Sequence, residues 1–126
     1  MRLRGLTVLV VEDDLDNLEL LSSHVEGEGA LALSARSVAD ALSLTSASRI
    51  DVALCDLELG DGDGCDLVRE LRRREGYEKL PAVALTGYSD DKWRRKATEC
   101  GFNRYAVKPF PLDTLTQWLF ELGSPS

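Results

Sequence analysis

The chain has 126 residues, of which 44% are apolar and 29% are charged. This length fits one folded domain, and the composition suggests neither disorder nor a membrane span. A formal charge of -7 argues against direct nucleic-acid binding, because that binding depends on Lys and Arg side chains that neutralise phosphates. We therefore expect a single domain over residues 1–126, with a core from about residue 6 to residue 122.

The cysteines and the N-terminus carry no sign of secretion. Cys55, Cys65 and Cys100 have no CxxC spacing, and His24 is the only histidine that could join them at a metal. We interpret the three as buried reduced thiols and give His24 no functional role. The N-terminus lacks the apolar segment and cleavage site of a signal peptide. The expected location is the cytoplasm, without membrane contact.

Apolar patterns alternate between strand and helix along the whole chain. Short runs rich in β-branched and apolar residues predict strands at residues 7–11, 30–35, 51–56, 81–86 and 105–108. Apolar residues at helical spacing follow each run, and predict helices around residues 18–25, 38–42, 67–71, 93–100 and 112–122. Ser37 is the expected cap of the second helix. We interpret the segment from Glu58 to Gly64 as a Gly- and Asp-rich loop, and its run from Gly60 to Gly64 as a turn, because that run lacks P-loop and EF-hand spacing.

This alternation predicts an α/β fold with a parallel sheet. Right-handed crossovers through helices join parallel strands and cover both faces of the sheet. The expected architecture is a doubly wound (βα)5, flavodoxin-like three-layer sandwich with strand order 2-1-3-4-5. In that order the first and third strands are neighbours, and ligands bind beyond their carboxyl ends.

Acidic residues follow the first and third predicted strands. Glu12 and Asp13 come directly after the first strand, and Asp56 ends the third. Three carboxylates that share one crevice repel each other unless a cation compensates their charge. Mg²⁺ prefers oxygen ligands and is commonly held by one or two carboxylates together with a phosphate. The sequence therefore predicts a Mg²⁺ site at these residues.

Two further polar residues end predicted strands at the same edge. Lys108 ends the fifth strand and carries a charge that can reach a phosphate oxygen or the Asp56 carboxylate. Thr86 ends the fourth strand and offers a hydroxyl. These groups could orient a phosphodonor and stabilise charge on the transferring group, with Asp56 as the nucleophile.

Four short motifs occur together in this order, namely Val10–Asp14, Leu54–Leu57, Ala84–Gly87 and Val107–Phe110. With these motifs the chain resembles the response-regulator receiver domains of two-component signalling over almost its whole length. The resemblance implies that a sensor histidine kinase or a histidine phosphotransfer protein phosphorylates Asp56. It also implies that Glu12, Asp13, Asp56 and the backbone carbonyl of Glu58 hold Mg²⁺. Such a domain is a signalling phospho-acceptor and not an enzyme with turnover.

The resemblance also implies how phosphorylation of Asp56 would change the surface of the domain. Lys108 and Thr86 would hold the phosphoryl oxygens, and Thr86 and Tyr105 would be the switch residues. Their movement would alter the face formed by the fourth helix, the fifth strand and the fifth helix, which can also support a homodimer. The Lys108–Pro109 peptide bond resembles the cis bond of the family.

Three positions depart from the commonest family pattern, and several alternatives stay open. Gly60 stands where Pro is frequent, while Glu58 and Tyr88 occupy positions that tune the lifetime of the acyl phosphate. A pseudo-receiver that only binds partners would keep the same fold. A phosphatase with an aspartyl nucleophile usually has a second Asp where this chain has Glu58. Residues 3–6 resemble the linker before the C-terminal receiver of a hybrid histidine kinase, although a stand-alone regulator fits equally well.

Overall fold

In the computed structural model, which describes residues 1–87 and 91–124, strands and helices alternate along the chain. The strands are β1 Thr7–Val11, β2 Leu31–Ala35, β3 Val52–Asp56, β4 Glu58–Leu59, β5 Gly62–Asp63, β6 Ala82–Thr86 and β7 Arg104–Val107. The helices are α1 Leu15–Gly27, α2 Val38–Ala47, α3 Gly64–Arg72, α4 Asp91–Glu99 and α5 Leu112–Gly123. Within the described ranges, no helix is both long and apolar enough to cross a membrane.

The main sheet has five parallel strands in the order β2-β1-β3-β6-β7. Because β6 and β7 are the fourth and fifth predicted strands, this is the predicted order 2-1-3-4-5, and the flavodoxin-like α/β fold is confirmed. Val11 pairs with Cys55 across β1 and β3. The residues that follow, Glu12 and Asp56, therefore lie side by side at the carboxyl edge of the sheet.

Helices cover both faces of the sheet, which explains why its strands are apolar on both sides. Val8 and Val10 of β1 belong to one buried cluster with the apolar residues of α1 and α5. Leu9 and Val11 belong to the other cluster, with residues of α2, α3 and α4. Each buried side chain of this size contributes roughly 1.5–3 kcal/mol through removal of apolar surface from water. The core also includes Leu3, which is fully buried and lies before the expected start of the core.

The segment from Glu58 to Gly64 is more ordered than the predicted turn. Its ends pair as the short antiparallel strands β4 and β5. The Asp61 carboxylate at the tip accepts hydrogen bonds from the backbone N–H groups of Val38 (2.9 Å) and Ala39 (3.1 Å) at the start of α2. These bonds lower the pKa of Asp61. Two-residue strands are too short to show an alternating pattern, so the sequence could not predict this hairpin.

Polar side chains begin three of the helices. Ser37 caps α2 as predicted, because its hydroxyl accepts a hydrogen bond from the Asp40 N–H at 3.1 Å. The Asp63 carboxylate caps α3 in the same way. Asp14 caps α1 through a 3.0 Å bond from the Asp16 N–H. Each such cap contributes on the order of 1 kcal/mol.

Two of the three cysteines differ from the prediction. Cys65 and Cys100 form a disulfide with a Cα–Cα distance of 5.5 Å, so their interpretation as reduced thiols is wrong. The pair is separated by 35 residues in sequence and meets only because the start of α3 packs near the end of α4. Spacing along the chain could not reveal this contact. Cys55 is free and buried, as predicted, and burial raises the pKa of its thiol to about 12.

Candidate functional site

Three carboxylates meet at the carboxyl edge of the sheet. Glu12 and Asp13 follow β1, and Asp56 is the last residue of β3. Oxygen atoms of the three side chains all lie within 4.8 Å of one another. Glu12 is held in place because its N–H donates to the Ala35 carbonyl oxygen at 3.0 Å, which extends the pairing of β1 and β2 by one residue. The structure thus brings together the three side chains predicted to bind Mg²⁺.

Lys108 joins two of these carboxylates. Its Nζ donates to Asp56 Oδ2 at 2.9 Å and to Glu12 Oε2 at 3.0 Å. Its backbone N–H donates to the Thr86 carbonyl oxygen at 2.7 Å, which aligns the segment after β7 with the end of β6. The Lys108–Pro109 peptide bond is cis, as the resemblance to receiver domains implies. One ammonium group therefore offsets part of the charge of a mostly buried acidic pair.

The second oxygen of Asp56 is fixed by the loop that follows β3. The Glu58 N–H donates to Asp56 Oδ1 at 2.9 Å, so both carboxylate oxygens have a partner. The loop closes where the Gly64 N–H donates to the Leu57 carbonyl oxygen at 3.0 Å. A Cβ atom on Gly64 would lie 2.6 Å from the Asp56 carbonyl oxygen, so this close approach requires glycine. The start of α3 is thereby packed directly against the backbone of Asp56.

The buried position of Glu12 changes its acidity. The pKa of Glu12 is raised from 4.5 to about 7, mainly by burial; the hydrogen bond and negative charge of Asp56 act in the same direction, and Lys108 opposes them. Burial lowers the pKa of Lys108, but its bonds to Asp56 and Glu12 outweigh burial and the pKa is raised overall. Lys108 thus stays charged at neutral pH, and Glu12 holds its proton more strongly than an exposed glutamate does.

The carboxylates open into a cleft of about 660 Å³. Its lining consists of Glu12, Asp13, Asp14, Asn17, Asp56, Glu58, Leu59, Gly60, Gly87 and Lys108. Within the described residues the acidic cluster offers oxygen atoms only, without sulfur or imidazole, and this donor set suits a hard cation such as Mg²⁺. With all three acids ionised, one Lys108 charge leaves two negative charges unbalanced. The cluster could therefore hold a metal ion.

Comparison with known proteins places the chain in a family. A family model described as the response regulator receiver domain matches residues 8–120. The chain belongs to this receiver family. An uncharacterised 14.6 kDa protein from the sodA1 3′ region of Leptolyngbya boryana is 36% identical over 114 residues, which cover 90% of this chain and 87% of that protein. The non-phosphorylated receiver domain of HemR from Leptospira biflexa superposes with a TM-score of 0.84 and 28% identity, over 97% of both chains.

Some curated relatives are longer than this receiver chain. The KDP operon transcriptional regulatory protein KdpE of Escherichia coli K12 is 30% identical over 108 residues, which cover 86% of this chain but 47% of KdpE. The chain thus spans about half the length of that regulator. The match supports a receiver domain of a two-component system, and the activity of the longer protein is not transferred by it.

Some of the predicted receiver residues line the cleft, and two others, Thr86 and Tyr105, do not. Glu12, Asp13, Asp56 and Lys108 line the cleft, together with Glu58. Thr86 ends β6 and is 1% exposed, next to the segment that carries Lys108. Tyr105 lies in β7, outside the cleft lining, and is half-buried. The Arg94 guanidinium carbon of α4 is 5.7 Å from the centre of the Tyr105 ring. Tyr88 lies outside the described residues.

Two features of the receiver site were not predicted from the sequence. The first is the role of Asp14, whose carboxylate accepts hydrogen bonds from the Asp16 N–H and from Asn17 Nδ2 at the start of α1. The bond from Lys108 to Glu12 was also missed, because sequence reasoning paired Lys108 with Asp56 alone. The sequence does show that Glu12 and Lys108 both follow strands of one parallel sheet, and this placement could have indicated their contact.

The raised pKa of Glu12 leads to a prediction about stability. In the unfolded chain Glu12 loses its proton near pH 4.5, and in the folded protein it does so near pH 7. The folded state binds more protons between these values, so without metal the free energy of unfolding should fall as pH rises from about 4.5 to 7. The expected loss is on the order of 1–3 kcal/mol. Urea unfolding at several pH values in a chelating buffer measures it.

Glu12→Gln is the control for this pH dependence. The amide oxygen can still accept from Lys108 but does not titrate, so the fall in stability between pH 4.5 and 7 should become smaller. The lowered pKa values of Asp61 and Asp63 act in the opposite sense and at lower pH. Mg²⁺ should also reduce the loss in the unmodified protein, because a cation favours ionised carboxylates. An identical slope in Glu12→Gln would show that another group causes the effect.

Proposed function

We propose that this receiver domain accepts a phosphoryl group on Asp56 in a Mg²⁺-dependent reaction and transmits the change to the face formed by α4, β7 and α5. We treat residues 1–126 as one such domain that works in the cytoplasm. Its proposed phosphodonor is a phosphohistidine on a sensor histidine kinase or on a histidine phosphotransfer protein. The net charge of -7 gives no reason to propose direct nucleic-acid binding.

The observation that carries the proposal is the contact of Lys108 with both Asp56 and Glu12. A lysine that bonds to two mostly buried carboxylates is costly to place, since each group must lose water. Lys108 lines a cleft that a phosphoryl group could enter. When phosphate binds, the same ammonium group could move from a carboxylate oxygen to a phosphoryl oxygen. Ionisable groups with shifted pKa values that line a cleft, as Glu12 and Lys108 do, are typical of functional sites.

The proposed reaction transfers one phosphoryl group between two side chains. A carboxylate oxygen of Asp56 attacks phosphorus, the P–N bond of the phosphohistidine breaks, and the leaving imidazole nitrogen takes a proton from water. The N–H of Glu58 and the ammonium of Lys108 fix the orientation of the Asp56 carboxylate before attack. Such positioning and charge stabilisation are the main requirements of phosphoryl transfer.

The proposed ligands for Mg²⁺ are the side chains of Glu12, Asp13 and Asp56 and the backbone carbonyl of Glu58. When bound, Mg²⁺ would neutralise the charge of these carboxylates and of the transferring group. Glu12 has an additional role in this proposal. Its contact with Lys108 holds the ammonium between the two acids while the phosphodonor approaches.

The proposed switch residues are Thr86 and Tyr105. The hydroxyl of Thr86 would bind a phosphoryl oxygen together with Lys108, and Tyr105 would then change its packing beneath α4. Arg94 of α4 already contacts the Tyr105 ring, so a movement of that ring would change a contact that holds α4. The altered face would bind a downstream partner or a second copy of the chain. The chain would thus act in signalling and not in catalytic turnover.

Intact mass spectrometry tests the proposal directly. The protein is incubated with Mg²⁺ and acetyl phosphate, and we expect the mass of one phosphoryl group to be added. The adduct should be lost when a chelator replaces Mg²⁺, since charge in the cleft would then oppose the phosphodonor. Reduction of the acyl phosphate with borohydride followed by peptide mapping should locate it at Asp56.

Absence of an adduct with Mg²⁺ and acetyl phosphate would contradict the proposal and favour a pseudo-receiver that only binds partners. An adduct that forms equally well in the chelating buffer would contradict the role of Mg²⁺ alone. Release of phosphate over many cycles at a fast rate would instead favour the aspartyl phosphatase alternative. In that alternative a second Asp is usual at the position of Glu58, and the exposed Glu58 side chain gives it no support.

A further inference from the structure

The disulfide between Cys65 and Cys100 joins two helices on one face of the sheet. Cys65 is the second residue of α3, and Cys100 directly follows α4. The Cα–Cα distance of 5.5 Å lies within the usual range for a disulfide. Both residues are buried, at 1% and 6% exposure. The covalent bond therefore fixes the end of α4 to the start of α3.

Most side chains of α4 are exposed, although Trp93 packs partly buried against the core cluster on this face of the sheet. Ala97 is the buried residue among the nine that form this helix. An ion pair of 3.0 Å joins Lys96 to Asp63, the residue that caps α3, but both side chains are partly exposed. Exposed ion pairs of this kind contribute at most about 1 kcal/mol. The disulfide thus adds a covalent restraint to a helix with one fully buried residue, and helices with little buried surface open more easily than core elements.

The bond also lies between the proposed acceptor and the proposed output. Gly64, which precedes Cys65, packs against the backbone of Asp56. α4 contacts Tyr105 through Arg94. Formation or loss of the Cys65–Cys100 bond can therefore change how α4 is held next to the loop that follows Asp56.

We propose that Cys65 and Cys100 are a reversible thiol–disulfide modification site that controls how freely α4 opens. In the oxidation step, a small-molecule disulfide such as oxidised glutathione accepts two electrons and two protons. The two protein thiols supply them as the Sγ–Sγ bond forms, and two molecules of the small thiol are released. Excess small thiol reverses the reaction through a mixed disulfide.

Cys55 is expected to be unreactive in thiol exchange, in contrast to Cys65 and Cys100. It lies in the middle of the sheet at β3, is fully buried, and has a pKa raised to about 12. Its thiolate is therefore scarce and inaccessible. Cys100 directly follows α4, whose side chains are mostly exposed, so local opening at the end of that helix would expose Cys100 and its partner. The pair and Cys55 should thus differ sharply in thiol exchange.

The proposal does not depend on phosphorylation of Asp56, because its two measurements need no phosphodonor. The first is equilibration of the unmodified chain in glutathione buffers of varied ratio, followed by rapid alkylation and peptide mass mapping. As the buffer becomes more oxidising, we expect Cys65 and Cys100 to change together from thiols, which are recovered as alkylated residues, to the disulfide, with Cys55 unmodified. A pair that stays oxidised in every buffer, or that never oxidises, would overturn the proposal of a reversible site.

The second measurement is amide hydrogen exchange in α4 for the oxidised and the reduced protein. We expect exchange in Asp91–Glu99 to be on the order of tenfold slower in the oxidised form, with little change in β1 or β3. Because both forms have the same sequence, the comparison needs no variant. Equal exchange of α4 in the two forms would overturn the control of α4.

Variants separate the pair from general effects of oxidation. Cys65→Ser and Cys100→Ser should exchange at the rate of the reduced protein in every glutathione buffer. Cys55→Ala is the matched control, and it should keep the difference between the oxidised and reduced forms. If Cys55→Ala abolished that difference while the serine variants retained it, the site would be assigned to the wrong cysteines.

Discussion

Asp56→Asn is expected to remove the phosphoryl adduct completely under conditions in which the unmodified protein becomes phosphorylated. An amide is not a nucleophile toward phosphorus, whereas the side chain keeps its size and one acceptor oxygen. That oxygen can still accept a hydrogen bond from the Glu58 N–H or from Lys108, so the site should stay folded. Intact mass after incubation with Mg²⁺ and acetyl phosphate measures the loss.

Glu58→Gln is the matched control for this substitution. The Glu58 side chain is exposed, and its proposed contributions come from its backbone N–H and carbonyl groups. The variant should therefore still form the adduct, although the lifetime of the acyl phosphate can change. An adduct that persists in Asp56→Asn would mean that another carboxylate, such as Asp13, is the acceptor. Loss of the adduct in both variants would indicate damage to the loop and not to the nucleophile.

Removal of the Asp56 charge should also change the acidity of Glu12. The hydrogen bond and the charge of Asp56 both help to raise the pKa of Glu12 above its usual value. In Asp56→Asn the neighbouring charge is absent and Lys108 remains, so the pKa of Glu12 should fall. Because unfolding would also return the pKa of Glu12 toward its ordinary value, a cooperative urea transition must first show that Asp56→Asn is folded, and the pH dependence of its stability then reports the change at Glu12.

Much of the site could be predicted because most of its functional side chains lie at the ends of strands. Glu12, Asp56 and Thr86 each end or follow an apolar run that is buried on both faces, and such runs are easy to recognise in a sequence. Parallel strands place their carboxyl ends at one edge, so convergence of these residues follows from the predicted strand order. The register of β1 and β3 then brings Glu12 and Asp56 together.

Contacts between distant side chains on helices and loops could not be predicted in this way. The Cys65–Cys100 bond depends on how α3 and α4 lie beside each other, and no periodic pattern encodes that arrangement. The bonds from Asp61 to the start of α2 depend on a hairpin of two-residue strands. In both cases the sequence shows suitable residue types, but only the packing shows which residues meet.

Asp13→Ala is expected to weaken Mg²⁺ binding by roughly 100-fold or more, which corresponds to about 2.7 kcal/mol. Asp13 is the exposed member of the acidic cluster, and neither of its carboxylate oxygens is among the described hydrogen bonds within the protein. Its backbone carbonyl accepts from Arg36 at 3.2 Å, a contact that alanine keeps. The substitution should therefore remove a metal ligand with little effect on folding. Titration calorimetry with Mg²⁺ measures the affinity.

Asp14→Asn is the control because Asp14 is the neighbouring acid but caps α1. Asparagine is also a good helix cap, so the bond from the Asp16 N–H should persist and the helix should stay intact. If the cluster binds Mg²⁺ through specific ligands, Asp14→Asn should change the affinity by only a few-fold. Equal losses in Asp13→Ala and Asp14→Asn would show instead that the overall negative charge of the cleft attracts the ion, and Asp13 would not be a direct ligand.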